Sequence, residues 1–187
     1  MPLLGVFVIF SSGIYTDQIP GEYRRFVYSI ILLCTVVLPL TLLPALHFFK
    51  MIQQITIDER RERLIPLFFA TICFYIAYYL VSKFAPIQVI TLFLFSNMLV
   101  IISILMVSIF WKISIHMAGI GGITALVVVI SLAYSIDLTF YLAGAILLSG
   151  LLGTCRLAVK AHSMLEIVAG YLLGFLLIGG LMIQLIP

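Results

Sequence analysis

Residues 163–186 read SMLEIVAGYLLGFLLIGGLMIQLI, a run in which Glu166 carries the single charge. The hydrocarbon core of a bilayer, roughly 30 Å thick, is crossed by about 20 residues of helix. A run of this length and polarity therefore reads as a membrane span, with Glu166 near its start. Working outward from it, comparable runs occupy Phe26–Phe49, Leu64–Ser82, Phe84–Trp111, Ile113–Ile136 and Leu138–Cys155. Lipid offers no hydrogen bonds, so each backbone N–H and C=O must be satisfied within its own segment, and helices are the form that does this. The expectation is an all-α, polytopic integral membrane helix bundle, one domain over 1–187. It has six full transmembrane helices plus a short N-terminal hydrophobic segment, Met1–Tyr15, tilted, partly inserted or re-entrant.

The composition agrees with this reading. Hydrophobic residues make up 64% of the chain and charged residues 9%, with a mean hydropathy of +1.31, whereas soluble domains are about half apolar and about a quarter charged. The net charge of +3 is too small to argue for a nucleic-acid partner. Cys34, Cys73 and Cys155 show neither metal-ligand nor disulfide spacing and read as small apolar fillers. The opening residues carry no basic stretch, so a cleaved secretory signal is not expected.

If each run crosses once, the loop DERRER, the junction WKISIH and the junction RLAVKAHSMLE lie on one face, two crossings apart. Lys50, Arg60, Arg61, Arg63, Lys112, Arg156 and Lys160 gather there, against Arg24, Arg25 and Lys83 on the other face. By the positive-inside rule the richer face is cytoplasmic, unless these cations serve binding rather than topology, so the side that carries the site stays open. Ala118 with Gly122, and Gly170 with Gly174, are small residues at four-residue spacing, a pattern that lets helices approach closely. A helix extended back to His162 would align His162, Glu166, Gly170 and Gly174 on one stripe.

The third junction holds Arg156, His162 and Glu166 in the order Arg, five residues, His, three residues, Glu. Charge within a membrane costs on the order of 2.5–3.5 kcal/mol at mid-bilayer, so groups kept there invite a functional reading. A carboxylate beside a histidine orients the ring and makes it more basic, which suits it to nucleophilic attack or proton transfer. An arginine presents a planar fork of donors to phosphate oxygens. The competing structural reading is that SMLE is a capping box, with Ser163 as N-cap and Glu166 at N3. Arg156 and Lys160 would then be interfacial anchors. His116, one turn after Lys112 on the same face, gives a second imidazole that can protonate a leaving oxygen. Arg60 and Arg63 can neutralise phosphate charge, or simply form a solvated loop. His47 reads as an interfacial histidine and Asp137 as a helix N-cap.

These residues resemble the type 2 phosphatidic acid phosphatase superfamily, whose three motifs are KxxxxxxRP, PSGH and SRxxxxxHxxxD. Arg156, His162 and Glu166 match the third, with Cys155 in place of Ser and Glu in place of Asp. Ser114 and His116 match the second, with Ile113 and Ile115 in place of Pro and Gly. The first departs most: Arg63 and Pro66 are separated by two residues, and Thr56 stands where the lysine would be. Lys112 is a candidate for the missing cation.

The resemblance implies a metal-independent enzyme without cofactor that hydrolyses a phosphate or diphosphate monoester on a lipid. His162 would form a phosphohistidine, Glu166 would support it, and His116 would be the general acid. Arg156, Lys112, Arg63, Arg60 and Ser114 would hold the phosphate. The expected setting is the cell membrane, with membrane lipids and a lipid phosphate as partners. The alternatives from other classes are a non-catalytic lipid-phosphate binder, a small transporter using the same cationic face, and a structural membrane subunit.

Overall fold

The computed structural model describes residues 1–15, 19–48 and 60–185. A short helix, α1 (Pro2–Ser11), is followed by α2 (Gly21–Leu32), which passes through a π turn at Leu33–Val37 into α3 (Leu38–Phe48). Then come α4 (Arg60–Phe84), α5 (Gln88–Ser108), α6 (Ile115–Tyr134), α7 (Thr139–Ala158) and α8 (Met164–Met182), the last closing in a 3-10 turn at Ile183–Leu185. Among the described residues, six helical segments are long and apolar enough to cross a membrane: Gly21–Leu42, Leu64–Phe84, Gln88–Ser108, Ile115–Tyr134, Thr139–Ala158 and Met164–Leu185. No strand occurs among them. The architecture is that of a multi-pass, all-α membrane protein with a short apolar helix at the N-terminal end.

The span boundaries differ from the expected ones for identifiable reasons. Helix does not stop where charge begins, because the first turn can project into the headgroup layer. The chain is accordingly helical from Gly21 through Glu22, Arg24 and Arg25, and again from Arg60 through Arg63, ahead of the apolar cores of these spans. In the 84–111 run the helix spans Gln88–Ser108, its start delayed by Pro86, which interrupts the backbone ladder. In the first span, Pro39 lacks an N–H. The helix relaxes just before it into the π turn, where the Leu38 N–H reaches back to the Leu33 carbonyl.

Helix α6 is the axis of the bundle: 67% of its span is buried, against 11% for α7. It packs most extensively on α8, with α1, α5 and α7 around the remainder. The small residues expected at helix contacts form this seam. A Cβ at Gly174 would fall on the Ala118 carbonyl oxygen, one at Gly170 would crowd the Ser114 carbonyl, and one at Gly121 would meet the Tyr171 carbonyl. The two backbones touch with no side chain between them. Helix α1 lies against α5 and α6, where Gly5 leaves room for the Phe93 ring. Of the cysteines, Cys34 and Cys73 are buried as fillers, but Cys155 is exposed at the end of α7.

In the α6–α7 turn, Ser135 takes a left-handed conformation (φ 52°). Asp137 sits one residue ahead of the N-cap position, Leu138. Its Oδ1 accepts the Thr139 N–H at 2.9 Å, and hydrogen bonding from Thr139 holds its carboxyl below the usual value.

The seam yields a paired prediction. Gly174→Ala drives a methyl group into the Ala118 carbonyl and should cost about 1–3 kcal/mol, as overpacking does. Gly150→Ala, on α7 where a Cβ meets open space, should be neutral or stabilising by up to about 1 kcal/mol through helix propensity. Unfolding of both variants in detergent, followed by circular dichroism, checks this; equal effects would show that the seam is not tight.

Candidate functional site

Three helix ends converge at one face: the start of α6, the end of α7 and the start of α8. They are tied through backbone. The Ser114 N–H, at the N-cap of α6, donates to the Glu166 carbonyl in the first turn of α8 at 3.3 Å. The close approach at Gly170 and Gly174 brings these ends together, since two helices in backbone contact one turn inside the bundle must also have adjacent termini.

The short 159–163 connection sets the third corner. Helix α7 ends with the Lys160 N–H donating to the Leu157 carbonyl at 2.9 Å and the Ala161 N–H to the Arg156 carbonyl at 3.1 Å. Lys160 holds a left-handed conformation (φ 51°), the position where helices usually place Gly or Asn. A non-glycine residue there costs about 1–2 kcal/mol. This turn brings the backbone of Ala161, and so His162, against that of Arg156.

Helix α8 begins at Met164, with Ser163 as its N-cap, so His162 stands just outside the helix and not on an extended stripe. It still meets Glu166. The His162 Nδ1 and Glu166 Oε2 are 2.9 Å apart, and the same Oε2 accepts the Ser163 N–H at 3.2 Å. The capping and pairing readings of this motif are therefore both realised by one carboxylate oxygen. His162 is 8% exposed, while the Glu166 side chain keeps 16%. An ionised carboxylate only accepts hydrogen bonds, so a neutral His162 paired to it carries its proton on Nδ1, leaving the lone pair on Nε2.

Ser114 is fully buried, and its Oγ has no hydrogen-bond partner among the described residues. A buried hydroxyl left unpaired costs about 1–3 kcal/mol. The α6 N-terminus has no side-chain cap among the described residues. The Arg156 guanidinium is half-buried, with no hydrogen-bond or ion-pair partner among the described residues. Lys112 is half-buried in the α5–α6 connection.

His116 is exposed. It follows Ser114 by two residues, about 200° around the helix at roughly 100° per residue, on the side of α6 turned from the α8 seam. Arg60 and Arg63 lie in the first turn of α4, and their side chains fall outside the described residues, as does that of His47. Among the described residues no three His, Cys, Asp or Glu side chains gather in a metal-binding set.

Sequence reasoning singled out Ser114 but not its backbone tie to Glu166, nor the left-handed Lys160, which no sequence signal marks. No family model, curated protein or solved structure matches this chain.

The double use of Glu166 can be separated by substitution. Gln at N3 also serves a capping box, so Glu166→Gln should keep stability to within about 1 kcal/mol while releasing the tautomer constraint. Nitrogen NMR of labelled histidine should report Nδ1–H for His162 in the parent chain and a mixture in the variant; an Nε2–H signal in the parent chain would contradict the pairing.

Proposed function

We propose that this chain is a membrane-embedded phosphatase of the cell membrane that hydrolyses a lipid phosphate or diphosphate monoester through a phosphohistidine on His162. The observation that carries the reading is the buried His162 held by Glu166 at 2.9 Å. Its neighbour Ala161 is bonded through backbone to Arg156, and Ser114, the N-cap of α6, whose N–H meets the Glu166 carbonyl, has a buried hydroxyl with no hydrogen-bond partner among the described residues. Helix N-termini favour anions, and an arginine fork matches phosphate oxygens.

In this mechanism His162 Nε2 attacks the terminal phosphorus, and its bond to the departing oxygen breaks, that oxygen belonging to the lipid alcohol in a monophosphate and to the remaining lipid phosphate in a diphosphate. His116 gives its proton to the departing oxygen. It then takes one from a water molecule, whose oxygen attacks phosphorus while the P–N bond breaks, returning His162 and releasing inorganic phosphate. Arg156, Lys112 and Ser114 hold the phosphoryl oxygens, joined by Arg60 and Arg63 from the start of α4. Positive charge and N–H dipoles offset the charge that develops on these oxygens. Glu166 offsets the positive charge on the imidazole during attack.

The position of His116, exposed and around the helix from the seam, favours a second reading: a binder that holds an anionic lipid headgroup without turnover. Phosphate release from phosphatidic acid and from an isoprenoid diphosphate, by purified protein in detergent with chelator, separates the two. The phosphatase reading expects turnover, with His116→Ala lowering kcat by about 10²–10⁴-fold. It also expects His162→Ala to abolish both activity and the acid-labile phosphoenzyme. Saturable binding with no phosphate release would establish the binder, and full activity in His162→Ala would exclude the mechanism.

A further inference from the structure

On the side of the bundle formed by α4 and α5 there is a groove of about 560 Å³, walled by Leu64, Phe68 and Phe69 from α4, by Leu105 and Met106 from α5 and by Ile109 just after it. All of its lining side chains are apolar. Phe68, Met106 and Ile109 are each more than half exposed, so it opens sideways, toward lipid. Along each helix the lining covers five or six residues, a depth of roughly 7 Å at 1.5 Å per residue. It lies at the end of the bundle that also carries the His162 junction, because α4 starts and α5 ends on that face.

Cationic residues flank its lining in the chain. Arg60, Arg61 and Arg63 occupy the first turn of α4, directly ahead of Leu64, and half-buried Lys112 follows Ile109 by three residues. A cationic stretch next to an apolar cleft suits a lipid with an anionic headgroup and a hydrocarbon chain. The same connection continues to Ser114, whose N–H is bonded to the Glu166 carbonyl. From Ile109 to Ser114 the backbone reaches at most about 18 Å. An acyl chain spans about half of the ~30 Å hydrocarbon core, so a lipid with its head near Ser114 has the length to enter the groove.

We propose that the α4–α5 groove binds the upper part of the hydrocarbon chain of the phosphorylated lipid whose headgroup occupies the His162 site, an inference that rests on the function proposed above. The groove makes the chain part of recognition: a headgroup without a chain reaches the catalytic residues but loses this contribution to binding.

Met106→Trp fills the groove without touching the site. With dioleoyl phosphatidic acid, KM should rise at least about tenfold while kcat at saturation stays within about threefold, the pattern of lost ground-state binding. With glycerol 3-phosphate, which has the same phosphate and no chain, kcat/KM should stay within about twofold. An unchanged KM for the dioleoyl lipid, or an equal change for both substrates, would overturn the proposal.

If neither compound is hydrolysed, the phosphatase reading fails, and the groove is read independently by photolabelling with a phosphatidic acid bearing a diazirine on its upper chain. Labelling confined to α4 and α5 and reduced by Met106→Trp would keep the groove as a chain site. Labelling spread to lipid-facing α7, and indifferent to the substitution, would show annular lipid only and overturn it.

Discussion

Backbone contact between α6 and α8 is the constraint on which the other features depend. In lipid, association of helices gains little from hydrophobic burial, because the surrounding chains are as apolar as the side chains. What remains is close packing and the contacts it permits. Gly170, Gly174 and Gly121 supply it by removing the side chains that would hold the two backbones apart, so that carbonyls of Ser114, Ala118 and Tyr171 lie where Cβ atoms would otherwise be. The contact begins within the first two turns of both helices and therefore sets the positions of their N-termini to within a hydrogen bond.

This placement gives the short connections their geometry. With α7 packed on α6 and α8 beginning beside it, only five residues, 159–163, are left to reverse the chain. The turn is closed by placing Lys160 in a left-handed conformation and by two backbone bonds to the end of α7. His162 emerges from that turn ahead of the helix rather than on it. The imidazole is held between a tight turn and a helix start, both fixed by backbone, and this is the kind of support that keeps a reactive group in one orientation.

Much of this was legible in the sequence because lipid restricts what a chain can do. Six runs of about 20 apolar residues had to be helices, and the four-residue spacing of Gly170 and Gly174 marked a helix contact, though not its partner. The boundaries were less legible. A charged turn such as Arg60–Arg63 stays helical beyond the hydrocarbon, and polarity alone does not reveal where helix stops. The His162 and Glu166 motif was legible as a pair with two competing explanations, and sequence could not show that a single carboxylate oxygen serves both. The direction of His116 depends on the phase of α6 against α8, which follows from the glycine contacts and not from its neighbours in sequence. The α4–α5 groove was invisible for a different reason. Its lining residues are ordinary apolar ones, and what makes it a groove is the gap left between two helices that pack more closely elsewhere.

The two adjacent helix termini are not equivalent, and the difference gives the site its polarity. Each N-terminus carries the equivalent of about half a positive charge and favours a nearby anion by roughly 0.3–1 kcal/mol, up to about 2 in partly buried geometry. At α8 that role is filled from within the chain, because Glu166 accepts the Ser163 N–H and the His162 pairing together. At α6, among the described residues, no side chain caps the terminus, and the Ser114 hydroxyl beside it is buried without a partner. A protein seeking only stability would fill both ends, since an acceptor at an N-cap is worth about 1 kcal/mol. The α8 terminus thus holds its own carboxylate, which also orients the imidazole, whereas at the α6 terminus no side-chain cap stands among the described residues.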